Sequence, residues 1–373
     1  MGLIYLTLLL LIVNAWACRE EPRSGGADSS LESYLEGRGA PRLEVTRVLE
    51  LAAGGPGDPE ILKVADATRL ANGAFVVADE FKPGLLFFDS LGRFVRAVGR
   101  QGRGPGEFEH IAGLVRCSRD SVFVWDNGVQ RIAVFDSTGA AVREFAIRGS
   151  PYIVACSPSG VLAVLEQPRI IERMDPEGRS LRRYTGELWL GDATGRRALS
   201  VGTFDLGENR PLGRLTHLAV ARDRIYVGTA ESLVVQAYGM DGSNQSEIEI
   251  LAPMRRPSDA DYERAIELLV EGFTERDYRE QMKQELLKIP KPEWLPFYRE
   301  IFSDPDGFLW VVVSGPGEPV TILEGFTRAG EIGGYVVLPA RSRVLEVGVD
   351  YFLVLESREE KTAVVLYRYG IAS

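Results

Sequence analysis

The sequence predicts an all-β fold in which six four-stranded sheets form a ring. Two series of short segments indicate this fold, and each series has six members. The chain has 373 residues, of which 45% are hydrophobic and 26% charged, as in an ordinary globular protein. Its 40 glycines exceed the usual share and indicate many turns.

The first series consists of turns that end in glycine and separate two apolar runs, as the turn of a β-hairpin does. Successive glycines lie 47 residues apart (92 to 139), 39 apart (139 to 178) and, at the end, 40 apart (330 to 370). The two other intervals, 64 and 88, are longer. A period of about 40 residues with two insertions fits four-stranded antiparallel blades. The turns end at Gly92, Gly139, Gly178, Gly242, Gly330 and Gly370.

The second series precedes the first by one hairpin and is rich in β-branched and aromatic residues, which favour strands. We expect each member to be the second strand of a blade. The members are Gly73–Ala78, Ser121–Trp125, Gly160–Leu165, Arg224–Gly228, Gly307–Val312 and Tyr351–Leu355.

A predicted strand near the start of the chain belongs to neither series and could supply the strand that the sixth blade lacks. Leu43–Leu51 alternates apolar and polar residues, and the last unit ends at Ser373 after its third strand. We expect Leu43–Leu51 to supply the missing fourth strand, because this pairing leaves no open sheet edge. The prediction is a six-bladed β-propeller over residues 43–373, closed by an N-terminal strand.

The segment Gly99–Phe108, GRQGRGPGEF, could be a phosphate cradle or a joint between two blades. A similar segment, Gly54–Pro59, follows the N-terminal strand at the same point of its unit. A phosphate loop leads into a helix N-terminus, whereas Gly99–Phe108 leads into Ile111–Val115, a predicted strand. The joint is therefore favoured, with anion contact by its arginines as the alternative. The candidate binding face here consists of Arg100, Arg103, Glu107 and His110.

Residues 257–290 interrupt the β pattern between the fourth and fifth blades. Ser258 and Asp261 form a capping-box pattern, and apolar residues follow at helical spacing. Thr274 and Asp277 start a second such pattern. We expect a helical hairpin on the same face of the ring as Gly99–Phe108, because both connect an outer strand to the next inner strand. Packing of its two stripes on the rim is favoured over a role as a lid or partner-docking element. The stripes are Tyr262, Ile266, Leu269 and Phe273, then Tyr278, Met282 and Leu286.

The N-terminus carries an export signal pattern. Gly2–Ala17 is uncharged and apolar, which predicts a signal peptide over residues 1–17. Ala15–Cys18 resembles a bacterial lipobox, so we expect lipidation of Cys18 and anchoring in the cell envelope. Ordinary secretion, an uncleaved anchor and a misplaced start codon are the alternatives. Residues 18–42 are predicted to be a flexible tether.

Two cysteines occupy equivalent positions in neighbouring blades, 39 residues apart. Cys117 and Cys156 could form a disulfide, which an exported protein permits. Two buried free thiols are favoured, because inner strands need small apolar residues.

Few residues suit catalysis. His110 and His217 are the only histidines, which excludes a multi-histidine metal site, and each is interpreted as structural. A ring of carboxylates after the second strands could hold a divalent cation, although hairpin geometry is their favoured role. We therefore predict no cofactor, with a channel calcium or zinc ion as the alternative. The carboxylates are Asp79, Glu80, Asp126 and Glu166.

One unit resembles a known repeat. Asp120–Gly139, preceded by GPGEF, resembles an NHL repeat, and the chain from about residue 43 onward is similar to bacterial TolB-like, NHL-related six-bladed propellers. Pro292–Tyr298 and Asp304–Val311 are also typical of that group. The resemblance implies the fold, while propellers host binding and catalysis alike. The matching residues are Val124, Asp126, Arg131, Ile132, Phe135, Asp136 and Gly139.

The favoured function is a non-catalytic lipoprotein of the cell envelope that binds a protein, peptide or glycan on one propeller face. The alternative is a metal-dependent propeller enzyme, resembling a lactonase or a peptide-amidating lyase, with a central-channel site. A net charge of -10 opposes nucleic acid as a partner, and we expect contact with the membrane only through the lipid anchor.

Overall fold

Six antiparallel sheets form the protein in a computed structural model, which describes residues 28–52, 59–118, 121–147, 151–166, 169–174, 180–208, 210–270, 273, 275–315, 318, 320–357 and 362–370. The chain begins with α1 (Asp28–Gly37) and β1 (Glu44–Glu50). Blade 1 contains β2 (Val64–Arg69), β3 (Phe75–Asp79), β4 (Gly84–Phe88) and β5 (Phe94–Val98). Blade 2 contains β6 (Ile111–Cys117), β7 (Ser121–Asp126), β8 (Arg131–Asp136) and β9 (Ala141–Ala146).

Blade 3 contains β10 (Ile153–Cys156), β11 (Leu162–Leu165), β12 (Arg169–Met174), β13 (Ser180–Gly191) and β14 (Arg197–Glu208). Blade 4 contains β15 (His217–Val220), β16 (Arg224–Gly228), β17 (Val234–Gly239) and β18 (Asn244–Glu249), and is followed by α2 (Asp259–Val270) and α3 (Arg276–Leu287). Blade 5 contains β19 (Glu300–Ser303), β20 (Leu309–Val312), β21 (Val320–Phe326) and β22 (Ile332–Pro339). Blade 6 combines β23 (Ser342–Val347), β24 (Tyr351–Ser357) and β25 (Thr362–Gly370) with β1.

The first strands of the blades contact one another in a closed circle, in the order β2, β6, β10, β15, β19, β23 and back to β2. The hydrophobic core is divided accordingly, with one cluster of buried side chains between each pair of neighbouring blades. β1 pairs antiparallel with β25, from Glu44 opposite Gly370 to Glu50 opposite Val365. The predicted fold class and its closure by an N-terminal strand are confirmed.

All six predicted second strands are present, as β3, β7, β11, β16, β20 and β24. One of the predicted turns is wrong. Tyr367–Gly370 lies inside β25, because this strand continues along β1. The third blade turns between β13 and β14, where the side chain of Asp192 accepts the backbone N–H of Thr194 at 2.9 Å. The predicted turn at Gly178 follows β12 instead and lies outside the described residues.

The third blade carries an insertion that the spacing of the turn glycines did not reveal. β12 pairs with Ser180–Thr185, the first half of β13, whereas β11 pairs with Leu188–Gly191, the second half. β14 pairs with β13 along almost its whole length. The first half of β13, with β12 and the end of β14, therefore extends beyond the blade as a three-stranded ribbon.

The predicted flexible tether is wrong from residue 28 onward. Residues 28–37 form α1, because Leu31, Tyr34 and Leu35 make an apolar stripe at helical spacing. Leu35 is 0% exposed and lies in the core cluster between blades 4 and 5. After the helix, the backbone of Leu43 donates to Tyr335 at 2.8 Å, so this segment follows the outer strand of blade 5 before β1 joins blade 6.

The predicted helical hairpin is present between blades 4 and 5. The Ser258 side chain accepts the backbone N–H of Asp261 at 3.1 Å and donates to its carboxylate at 2.7 Å, which is the predicted capping box. The second helix begins after Glu275, whose side chain makes no cap. Its predicted capping residue, Thr274, lies outside the described residues.

Cys117 and Cys156 form a disulfide, so the expectation of two free thiols is wrong. The residues end the first strands of blades 2 and 3, and their Cα atoms are 5.1 Å apart. This spacing lies within the range that a disulfide needs. Neighbouring inner strands near the axis are thus close enough for the bond.

Candidate functional site: the insertion face and the central channel

The long insertions of the chain emerge on one face of the ring. In a propeller of this topology, the connections from outer to next inner strand and from second to third strand leave by the same face. Residues 99–108, the ribbon of blade 3 and residues 250–299 all belong to these connections. We call this surface the insertion face, and the opposite surface the far face.

Residues 99–108 act as a joint, as the sequence indicated. Gly99 has φ +87°, and a Cβ there would lie 2.6 Å from the Phe108 ring. The Arg100 guanidinium pairs with the Glu107 carboxylate at 2.7 Å, and the same carboxylate accepts the backbone N–H of Gly104 at 2.8 Å. These two hydrogen bonds hold the pKa of Glu107 below its usual value. The loop therefore uses its charged groups to fix its own conformation.

The other members of the predicted binding face have separate surroundings. Arg103 lies 3.7 Å from the Glu109 carboxylate. The backbone of His110 donates to Asp126 at 2.9 Å, which fixes the start of β6. The structure brings Arg100 and Glu107 together, but in a mutual ion pair. Binding by this set remains a prediction.

The carboxylates after the second strands bind backbone. Asp79 accepts N–H groups from Leu62 at 2.8 Å and from Phe81 at 2.8 Å. Asp126 likewise accepts from Glu109 at 2.7 Å and from His110. In both residues the two carboxylate oxygens receive different donors, so each side chain ties the second hairpin of its blade to the incoming chain. Glu80 and Glu166 lie beside Lys63 (3.0 Å) and Arg197 (3.7 Å).

The ribbon and the helical hairpin form a continuous wall over blades 3 to 5. The two helical stripes pack on Leu212 and Leu215, in the loop that follows β14. The Tyr262 hydroxyl donates to the Ile289 carbonyl at 2.7 Å, which closes the base of the hairpin. The favoured prediction, packing of both stripes, agrees with these contacts.

A charged network anchors the ribbon to blade 4. Arg183 on β13 lies 2.7 Å from Asp205 and 2.8 Å from Glu231, the latter in the loop between β16 and β17. Arg210 pairs with Glu208 at 2.5 Å in the same network. Cations and carboxylates are matched here, so the network stabilises the wall.

The central channel contains ionisable groups that sequence reasoning did not identify. Asp66 on β2 accepts the backbone N–H of Leu114 on β6 at 3.2 Å. Arg343 on β23 donates to the carbonyls of Val64 and Ala65 on β2, at 3.0 and 2.9 Å. Burial raises the pKa of Asp66 to about 7, although the charge of Arg343 opposes the rise. These side chains satisfy the free backbone edges of inner strands, and no local motif marks them.

At the insertion-face mouth of the channel lie His217 and Glu300, the first residues of β15 and β19. The His217 ring contacts the Tyr298 ring, with centroids 6.0 Å apart. Burial lowers the pKa of His217 to about 4, so the imidazole is neutral at pH 7. Burial also raises the pKa of Glu300, against the charges of Arg299 and Arg343. Both side chains keep partial solvent access, so they line the mouth.

Among the described residues, no group of three or more histidine, cysteine, aspartate or glutamate side chains is arranged to hold a metal ion. The same part of the chain has no helix long and apolar enough to cross a membrane. The predicted lipidation site, Cys18, and the predicted signal peptide lie outside the described residues.

Comparison with known proteins supports the fold. A family model described as a 6-bladed beta-propeller, DUF5128, matches residues 60–156, from the approach to blade 1 to the first strand of blade 3. The structure and this match agree on a six-bladed propeller. No curated protein matches the sequence.

Several solved structures share the architecture. A Bacteroides fragilis NCTC 9343 protein named as exported is 14% identical, with 89% of this chain and 96% of that chain covered and a TM-score of 0.52. A DUF4221-family member from Bacteroides vulgatus is 12% identical, with 88% and 99% covered and a TM-score of 0.52. A gluconolactonase of Xanthomonas campestris is 12% identical, with 95% and 96% covered and a TM-score of 0.45. At these identities the likeness to the two Bacteroides proteins supports the fold and says nothing of activity.

Proposed function

We propose that this propeller is a non-catalytic binding protein of the cell envelope, which takes a protein, peptide or glycan partner on its insertion face. The observation that carries the proposal is the wall, because the helical hairpin and the ribbon both rise on one face beside the channel mouth. A raised wall beside a concave mouth gives a partner two surfaces to contact.

The root of the wall has the chemistry of a protein interface. Arg256 lies over the Trp294 ring, 4.3 Å from its centroid, and its side chain is 66% exposed. Met254, two residues earlier, is 60% exposed. Tryptophan, arginine and methionine are enriched in interfaces, and the first two dominate binding energy. This patch of Met254, Arg256 and Trp294 favours a protein or peptide partner.

The experiment compares surface variants on the two faces. Met254→Ser combined with Trp294→Ala should abolish cross-linking to a specific envelope partner that the unaltered protein captures. The matched control, Leu91→Ser with Val349→Ser, removes apolar side chains that are 64% and 54% exposed on the far face. Equal capture by both variants would contradict the proposal. Point variants are preferable to deletion of the hairpin, which would expose Leu212.

Export and lipidation are part of the same proposal. The disulfide supports an oxidising compartment, since such bonds persist mainly outside the cytosol. Cys18→Ser should move the protein from the membrane fraction to the soluble fraction of the envelope. Retention in the membrane fraction would count against lipidation without affecting the binding proposal.

The alternative, a metal-dependent enzyme, needs channel carboxylates with oxygens available to a cation. In Asp66, Asp79 and Asp126, both oxygens accept backbone N–H groups. No specific observation favours this function, so we do not propose it.

A further inference from the structure

Two arginines lie at the far-face mouth of the channel. Arg69 ends β2, and Arg116 is the penultimate residue of β6. Neither makes an ion pair with any other residue that the structure describes. On the same face, over blades 4 and 5, arginines are paired: Arg222 lies 3.7 Å from Asp306, and Arg328 lies 2.7 Å from Asp223.

The register of the inner strands brings the two arginines to one level. The hydrogen bond from Leu114 to Asp66 sets β6 beside β2, and both strands run from the insertion face to the far face. Two residues further along, Arg116 is level with Thr68 and one step from Arg69. Both arginine side chains keep partial solvent access.

Aromatic rings hold Arg69 in place. Its guanidinium lies 5.0 Å from the centroid of Tyr351 and 5.9 Å from that of Phe75. The Tyr351 and Thr68 hydroxyls donate to Glu346, as does the backbone N–H of Arg69 at 3.4 Å, so this nearby carboxylate already accepts three donors. Burial and Glu346 raise the pKa of Tyr351, whereas Arg116 and Arg69 oppose the rise, which agrees with their approach to the same hydroxyl. The guanidinium groups of Arg69 and Arg116 thus share one nearby carboxylate, Glu346, which already accepts other hydrogen bonds.

We propose that Arg69 and Arg116 form an oxyanion-binding site at the far-face mouth of the channel, which takes a carboxylate or phosphate group of a small ligand. Guanidinium groups bind both oxyanions through paired, charge-assisted hydrogen bonds. Two guanidinium groups beside a single carboxylate leave an excess of positive charge, which a bound anion would offset. The site is on the face opposite to the proposed partner surface and is independent of it.

The test is calorimetric titration of the purified protein with inorganic phosphate and, separately, with succinate, at constant ionic strength set by sodium chloride. Saturable binding of at least one anion is expected. Arg116→Gln should weaken it by about tenfold or more, since charge-assisted hydrogen bonds are the strong ones. Arg116 is partly exposed and makes no ion pair within the described ranges, so this variant should fold. Tighter phosphate binding would indicate a phosphorylated ligand, and tighter succinate binding a carboxylate.

Two controls make the test specific. Arg222→Gln removes a guanidinium from the same face and should leave the affinity unchanged. Arg69→Lys keeps the charge but loses the planar geometry, so it should bind more weakly than the unaltered protein. Absence of saturable binding by both anions, or unchanged affinity in Arg116→Gln, would overturn the proposal. The Trp294→Ala variant should bind anions normally, which separates this result from the partner experiment.

Discussion

Val45 lies opposite Tyr369 in the sixth sheet, so hydrogen bonds between the first and last strands close the ring. The Tyr369 ring also packs edge to face against Trp310 of blade 5, with ring centroids 5.0 Å apart. Closure therefore combines a backbone ladder with aromatic packing across a blade boundary.

N-terminal truncation should be tolerated before the closing strand β1, whereas loss of β1 should destabilise the protein. Starting the chain at Asp28 should leave the melting temperature unchanged, whereas starting it at Ala52 removes β1 and exposes the edge of β25. Because a domain is stabilised by only about 5–15 kcal/mol, we expect the shorter chain to unfold or aggregate. Thermal unfolding and size-exclusion chromatography measure this. Equal melting temperatures for the two chains would contradict closure by β1.

Loss of the disulfide should destabilise the protein without changing its fold. The bond joins residues 39 apart, and removing such a bond typically costs about 2–5 kcal/mol. Cys117→Ala with Cys156→Ala should lower the urea midpoint, and reductant should lower the midpoint of the unaltered protein but not that of the variant. A thiol assay on denatured protein starting at Asp28 should find no free thiol. Two free thiols would contradict the bond.

Glycine is needed in the segment 99–108 for its backbone. Gly99→Ala should destabilise the protein by roughly 2–4 kcal/mol, because a Cβ at φ +87° would meet the Phe108 ring. Arg100→Ala should leave the unfolding midpoint nearly unchanged, since its ion pair is solvent-exposed. Urea unfolding of both variants measures these effects. A larger loss of stability in Arg100→Ala than in Gly99→Ala would contradict the role of the glycine in the joint.

A buried glutamate should make stability depend on pH. Glu324 is 0% exposed, and burial raises its pKa to about 7. The folded state then binds more protons than the unfolded state between about pH 4.5 and 7, so stability falls as pH rises through this window. Glu324→Gln should remove roughly 1–3 kcal/mol of this fall. Urea unfolding of the unaltered protein and the variant at pH 5 and pH 8 measures this difference in unfolding free energy.

Glutamine is a suitable replacement for Glu324 because it has nearly the same shape but does not titrate. One carboxylate oxygen accepts the Leu251 N–H at 3.0 Å, and a glutamine oxygen can do the same. The other oxygen has no hydrogen-bond partner among the described residues. An identical pH dependence in the unaltered protein and the variant would show that Glu324 is not the titrating group.

Much of the fold could be predicted because it depends on local patterns. The second strands are continuous apolar runs, so Phe75–Asp79 and Leu309–Val312 stand out in the sequence and are fully buried in the structure. Ser258 marks the start of α2 through a three-residue pattern. By contrast, Met174–Gly178 resembles a blade turn, yet it follows an extra strand whose existence depends on pairing with β13.

The candidate site was less predictable because its residues meet only in three dimensions. Asp66 and Arg343 come from opposite ends of the sequence, and each binds the backbone of another blade. Arg69 and Arg116 belong to no sequence motif, and only the fold brings them to the same end of neighbouring inner strands. The sequence allows the disulfide but does not favour it over free thiols, because the distance between inner strands cannot be read from sequence.

Helix α1 sets how freely an anchored protein could move. If Cys18 carries lipid, it lies ten residue steps before Asp28, where a helix fixed between blades 4 and 5 begins. Fully extended, ten residues reach at most about 35 Å, close to the hydrocarbon thickness of a bilayer. The rim at blades 4 and 5 would then stay near the lipid surface, and blade 2, on the other side of the ring, would point outward.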